Sequence, residues 1–175
     1  MHEIIYIWLS IWPAQIELKS DTIFWCKERK LNWTDFKANN TPAVYGALTA
    51  SKILVETIKV DSLYVFNIRS VFLSNESWSK DSSEYLLEHE QIHFDIAEVA
   101  ARRVRRFLYN KIITDTNYKV IADSIRKKLS FQPETNKRFD KETGHGIAKN
   151  QQIRWRRFID SQLKALEKFG IACPP

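Results

Sequence analysis

A chain of 175 residues has the length of one domain that can bury its own core. Hydrophobic residues make up 44% of it and aromatics 13%, which excludes a disordered or low-complexity polypeptide, and four glycines with five prolines leave little for a linker. The net charge of +6 would suit an anionic partner, but no nucleic-acid motif accompanies it, so no nucleic acid is expected.

Residues 4–12 (Ile-Ile-Tyr-Ile-Trp-Leu-Ser-Ile-Trp) form an apolar run well short of the roughly 20 residues a membrane span needs. Its length suits the core of a secretory signal. However, His2 and Glu3 precede it instead of Lys or Arg, and Pro13-Ala14-Gln15 is a poor cleavage site. Residues 1–19 are therefore a candidate signal peptide or an N-terminal apolar segment, and residues 20–175 a single domain. The balance tips slightly toward export, periplasmic or secreted, with a cytoplasmic location still open and no transmembrane span expected.

From residue 23 to residue 73 the pattern favours strands. Ile23-Phe24-Trp25 is short and apolar, and residues 31–36 carry large side chains. Asn39-Asn40-Thr41-Pro42 reads as a turn. Residues 43–60 and 62–73 are rich in Val, Ile, Thr and aromatics, and the second run suits a strand buried on both faces for part of its length. At Asp81 the pattern changes. Asp81-Ser82-Ser83-Glu84 resembles a capping box, and nothing breaks a helix from there to about Tyr109. A second helix is predicted over residues 117–129, an irregular stretch over 132–148, and a last helix over 150–169 ending at Gly170. Strands followed by helices indicate an α+β domain. Its arginine clusters, Arg102, Arg103, Arg105 and Arg106, then Arg154, Arg156 and Arg157, lie on helices and read as solvated faces. Cys26 and Cys173 are either free buried thiols or a disulfide closing most of the chain into one loop. Such a bond would stabilise by up to about 4–5 kcal/mol.

The long helix carries Leu86-Leu87-Glu88-His89-Glu90-Gln91-Ile92-His93-Phe94-Asp95. Four residues advance a helix by about 400°, so His89 and His93 fall about 40° apart on one face. Both imidazoles thus reach one Zn²⁺ at about 2.0–2.1 Å, and Glu90 stands beside them as a base. Two satisfied core histidines are the plainer alternative. A catalytic zinc wants a third protein ligand. Glu98, about 900° on, and Asp95, about 600° on, point away from the pair. The remaining internal histidine is His145, in Thr143-Gly144-His145-Gly146, where flanking glycines allow a close approach. His145 is the first candidate for third ligand, ahead of an oxyanion donor. In that second case Asp140 or Glu142 becomes the ligand to test.

These stretches, with Leu31-Asn32-Trp33-Thr34-Asp35-Phe36-Lys37, Ala47-Leu48-Thr49-Ala50-Ser51, Ser77-Trp78, Phe139-Asp140-Lys141-Glu142, Gln152 and Trp155, resemble in that order a bacterial family of unknown function described as predicted secreted zinc-dependent proteases. The resemblance spans about residues 25–166. It implies an exported protein with a zincin-like metal site. The expected architecture is an N-terminal antiparallel or mixed sheet packed on the HExxH helix, with two further C-terminal helices. Phe139 stands where the family often has Tyr. If that hydroxyl polarises the scissile carbonyl, another donor is needed, with Tyr109 and Tyr118 as candidates by elimination.

The expected chemistry is zinc-assisted hydrolysis of a peptide bond, with Glu90 as general base. The substrate, a peptide, protein or cell-wall peptide, would lie along an edge strand. Asp140 would orient a ligand imidazole or cap a loop. Asp95, Glu98, Gln152 and Trp155 suit packing better than chemistry. The alternative is a non-catalytic domain that zinc stabilises and whose basic helices bind an envelope partner.

Overall fold

The computed structural model describes residues 21–39, 46–80 and 82–173. Residues 1–19, Asp81 and most of the expected Asn39-Pro42 turn lie outside them.

Valine, isoleucine and aromatic residues at strand spacing pair as expected. β3 (Ser51–Val60) and β4 (Leu63–Leu73) form an antiparallel hairpin in register from Ser51↔Phe72 to Val60↔Leu63. β1 (Thr22–Phe24) adds antiparallel to the other edge of β4, giving the order β1-β4-β3. Toward its end β4 is buried on both faces, with Ile68, Ser70, Val71 and Phe72 all at 2% exposure or less. Residues 46–50 do not continue β3. Instead β2 (Ala47–Leu48) pairs separately with β5 (Trp78–Ser79). Residues 31–36 are not a strand either, because Asn32 and Asp35 cap each other across a 3₁₀ turn at Trp33–Asp35.

α1 (Glu84–Leu108) starts from Ser83, whose hydroxyl accepts the Leu86 amide, two residues later than the expected cap. It touches β3 and β4 as well as α2 (Tyr118–Leu129), α3 (Phe131–Thr143) and α4 (Lys149–Ala165). Three helices follow α1, not two. The predicted irregular stretch is mostly α3, since Pro133 falls in the first helical turn, where a missing N–H costs little. α4 ends earlier than predicted, at Ala165, and a 3₁₀ turn carries the chain to Gly170. Gly170 is extended and not left-handed. A Cβ there would stand 3.2 Å from an Arg102 guanidinium nitrogen.

Because α1 is enclosed by the sheet and three helices, it is buried continuously from His89 to Arg102. Its apolar side chains enter each of three core clusters: Ile92, Ile96 and Val99 with Phe139, Trp155 and Ile159; Phe94 with Trp25, Leu31 and Phe72; Ala101 and Val104 with Ile68 and Ile125. Two of its buried carboxylates, Asp95 and Glu98, are matched. Asp95 accepts from Trp25 Nε1 (2.6 Å), Gln91 Nε2 (2.8 Å) and Arg156 Nη1 (2.6 Å). Glu98 accepts from Ser70 Oγ (2.6 Å), Arg102 Nε (2.8 Å) and Arg105 Nη2 (2.6 Å). Both carboxylates hold elements together, and removing one partner of such a buried pair typically costs about 3–5 kcal/mol. Cys26 and Cys173 are disulfide-bonded, tying the C-terminal segment to the loop after β1. Among the described residues no helix is long and apolar enough to cross a membrane.

Candidate metal centre

One helical turn apart on α1, His89 and His93 are 3% and 9% exposed. Phe139 of α3, fully buried, wedges beneath both rings: its centroid is 4.4 Å from His89, stacked, and 5.0 Å from His93, edge-on. The position where the resembled family often has Tyr therefore supports the two imidazoles from below.

Each imidazole is held in one tautomer. His89 Nδ1–H donates to Gln152 Oε1 (3.2 Å), whose amide nitrogen donates to the Tyr85 carbonyl (3.0 Å). His93 Nδ1–H donates to Asn136 Oδ1 (3.1 Å). Both acceptors are amide oxygens, so the proton sits on Nδ1 and the lone pair of the neutral ring is on Nε2.

Both Nε2 atoms converge on one oxygen, Asp140 Oδ1, at 3.3 Å from His89 and 3.0 Å from His93. Ligand atoms arranged tetrahedrally around zinc at about 2.0–2.1 Å stand roughly 3.3 Å from one another. The spacing of this group thus matches a zinc site of two imidazoles and one carboxylate, all within 4.8 Å of each other. Three electron-rich atoms facing one point repel unless a proton or cation lies between them. The titration directions follow from this. Burial pushes the Asp140 carboxyl up, yet the hydrogen bonds that His89 and His93 donate from Nε2–H when protonated outweigh it and hold it far below the usual carboxylate range. Burial pulls His93 down, and its hydrogen bond to Asp140, together with the negative charge of nearby Glu90, more than restores it, leaving the ring above its ordinary value.

Glu90 is 3% exposed, and among the described residues its Oε2 has no hydrogen-bond partner. An unpaired carboxylate oxygen in the interior is costly and calls for a reason. It lines the same cavity of about 280 Å³ as His89, His93, Asn136, Asp140 and His145.

His145 is placed differently from the sequence expectation. α3 runs through Asp140 to Thr143, so Asn136 and Asp140 share a helical face and both reach the histidine pair. Beyond it the chain turns through three left-handed residues, Gly144 (φ 57°), His145 (φ 53°) and Gly146 (φ 88°). Gly146 brings this turn against His89: a Cβ there would lie 3.6 Å from the His89 ring. The His145 side chain remains 52% exposed, with Nδ1 3.9 Å from Asp140 Oδ1. Asp140, expected behind a ligand or as the alternative third ligand, joins the pair in a group that could hold a metal ion, and His145, the first candidate for third ligand, stands at its rim. Glu142 is turned away, accepting from Arg138 and Trp155.

The opposite wall of the cavity is Gly46, Ala47, Leu48 and Thr49. Lys80 N–H donates to the Gly46 carbonyl (2.8 Å), so the alternation of an antiparallel ladder turns the backbone N–H and C=O of Ala47 away from β5. Neither Tyr109 nor Tyr118 lines this cavity. Tyr109 packs on Phe169, and Tyr118 on Tyr64 and Phe66. Sequence reasoning missed Asn136, although its spacing of four from Asp140 would have revealed it had the stretch been read as helix. Gln152, read as packing, carried no such signal. No family model, no curated protein and no solved structure matches the chain.

Proposed function

We propose that this chain is a zinc-dependent metallopeptidase of zincin-like fold, with His89, His93 and Asp140 holding the metal and Glu90 as general base. The observation that carries the proposal is the convergence of two tautomer-locked Nε2 atoms and a carboxylate oxygen at zinc-ligand spacing, with an unpartnered buried carboxylate oxygen on Glu90 alongside. Zinc supplies a Lewis acid and, at neutral pH, an acidified water. Glu90 accepts a proton from the attacking water and passes it to the leaving nitrogen. His145, at the rim, donates a hydrogen bond to the carbonyl oxygen as charge develops there. The outward-facing N–H and C=O of Ala47 pair with the backbone of an extended peptide added alongside β2. A protein and a cell-wall peptide both fit this chemistry. The disulfide suits an oxidising compartment and so supports export, periplasmic or secreted.

The test is metal analysis and peptide hydrolysis on one preparation. The unaltered protein is expected to carry about one equivalent of zinc and to cleave quenched fluorescent peptides. Glu90→Gln should retain the zinc and lose at least about a hundredfold in rate, while Asp140→Ala should lose the zinc. Full zinc content with no difference between the unaltered protein and Glu90→Gln would instead favour a non-catalytic domain in which the ion joins α1 to α3.

A further inference from the structure

The arginine cluster of α1 divides in two. Arg102 and Arg105 turn inward and share the buried carboxylate of Glu98. Arg103 and Arg106 turn the other way, toward the end of α2 and the start of α3, where Lys127 and Lys128 meet them. These four cations, with Phe107, Ser130, Phe131 and Glu134, line a cavity of about 470 Å³. Among the described residues none of the four makes an ion pair, and Glu134 is the one carboxylate in the lining. This is not how α2 treats its other charges: Lys119 and Arg126 are both paired with Asp123.

The cationic heads are also held in place. The Arg103 guanidinium lies 3.7 Å over the Phe131 ring while its Nη2 donates to Gln162 Oε1 (2.8 Å). Lys128 sits 4.8 Å over the Phe107 ring. Aromatic faces position a cation without cancelling its charge as a carboxylate would. Burial, with Arg106 close by, pushes the Arg103 guanidinium below its ordinary value, as expected where like charges crowd with no anion between them.

From these residues we infer that the cavity between α1, α2 and α3 binds a phosphate-type oxyanion, as the free ion or as the headgroup of a larger anionic molecule. The planar guanidiniums offer paired donors to such oxygens, and the two ammonium groups add point charges. This site is separate from the metal centre. Phe131 and Glu134 lie about 140–160° around α3 from Asn136, and Arg103 is about 15 Å along α1 from His93. It therefore stands independently of the proposed peptidase activity.

The test is an NMR titration of the full-length protein with inorganic phosphate, read at the arginine Nε–Hε and lysine signals. Saturable shifts confined to Arg103, Arg106, Lys127 and Lys128 are expected. The Arg106→Gln/Lys127→Gln variant alters only exposed positions, and so keeps its fold. It should bind at least about tenfold more weakly, the loss expected for one or two charge-assisted hydrogen bonds. The Glu90→Gln variant should bind phosphate like the unaltered protein. Flotation with vesicles of phosphatidylglycerol in phosphatidylcholine separates the two sources. Binding that the double variant abolishes indicates a lipid headgroup, and its absence alongside phosphate binding indicates a soluble anion. Lack of saturable shifts in the unaltered protein, or equal affinity in the double variant, overturns the inference.

Discussion

Replacing Gln152 with Leu removes the group that fixes the tautomer of His89 while nearly conserving buried volume. Gln152 is 1% exposed, and its amide bridges His89 Nδ1–H (3.2 Å) and the Tyr85 carbonyl (3.0 Å). Leucine would leave the His89 Nδ1–H donor without a partner in the interior, at roughly 1–3 kcal/mol, while the Tyr85 carbonyl keeps its helical N–H. His89 then has less reason to keep its proton on Nδ1, and the competing tautomer places it on the nitrogen that must ligate. Loss of such a partner typically lowers metal affinity by about 10–100-fold, equivalent to about 1.4–2.7 kcal/mol. Competition against a chromophoric zinc chelator at neutral pH measures the affinity, and thermal melts of chelator-treated and zinc-loaded protein measure stability. The stabilisation by zinc should shrink in the variant. A Gln152→Leu protein that melts lower yet binds zinc within twofold of the original would reduce Gln152 to a packing residue and refute the tautomer account.

Three further outcomes are expected. His145→Ala should keep about one zinc while kcat/KM for peptides falls by about 10²–10³, the usual loss for an oxyanion donor; loss of the zinc itself would restore His145 as the third ligand. Replacing both cysteines with Ser opens a loop of 147 residues. On the loop-entropy account this costs about 5 kcal/mol, a fall in Tm of roughly 10–20 °C, and an unchanged Tm would contradict it. In chelator-treated protein, His93 is raised above 6.5 and Asp140 lowered below 3.8, so their mutual stabilisation is complete between those values. It fades as pH falls through the depressed Asp140 value, and again as pH rises through the raised His93 value. The metal-free Tm should therefore drop as pH rises above about 6.5 while the zinc-loaded Tm does not, because zinc binds the neutral imidazoles. A metal-free Tm that stays level over that range would argue against the ion pair.

Features that depend on local backbone geometry were legible in the order of the residues. The helical period places His89, Glu90 and His93 together, whatever surrounds them. Strand propensity marks β3 and β4, and strands preceding helices indicate the α+β class. Local signals also misled. Pro133 reads as a breaker until it falls in a first turn, and the large side chains of residues 31–36 look strand-like although Asn32 and Asp35 close a capping box there. Tertiary structure alone decided what depends on the meeting of distant segments. It brings Asp140 between the two imidazoles, sets Asn136 and Gln152 behind them, and leaves His145 at the rim. It also divides four neighbouring arginines into a pair bound to a buried carboxylate and a pair facing an open cavity. Residue spacing fixes the direction of a side chain from its own helix, but only packing fixes what stands opposite, and a ligand set or a charged pocket is made of what stands opposite.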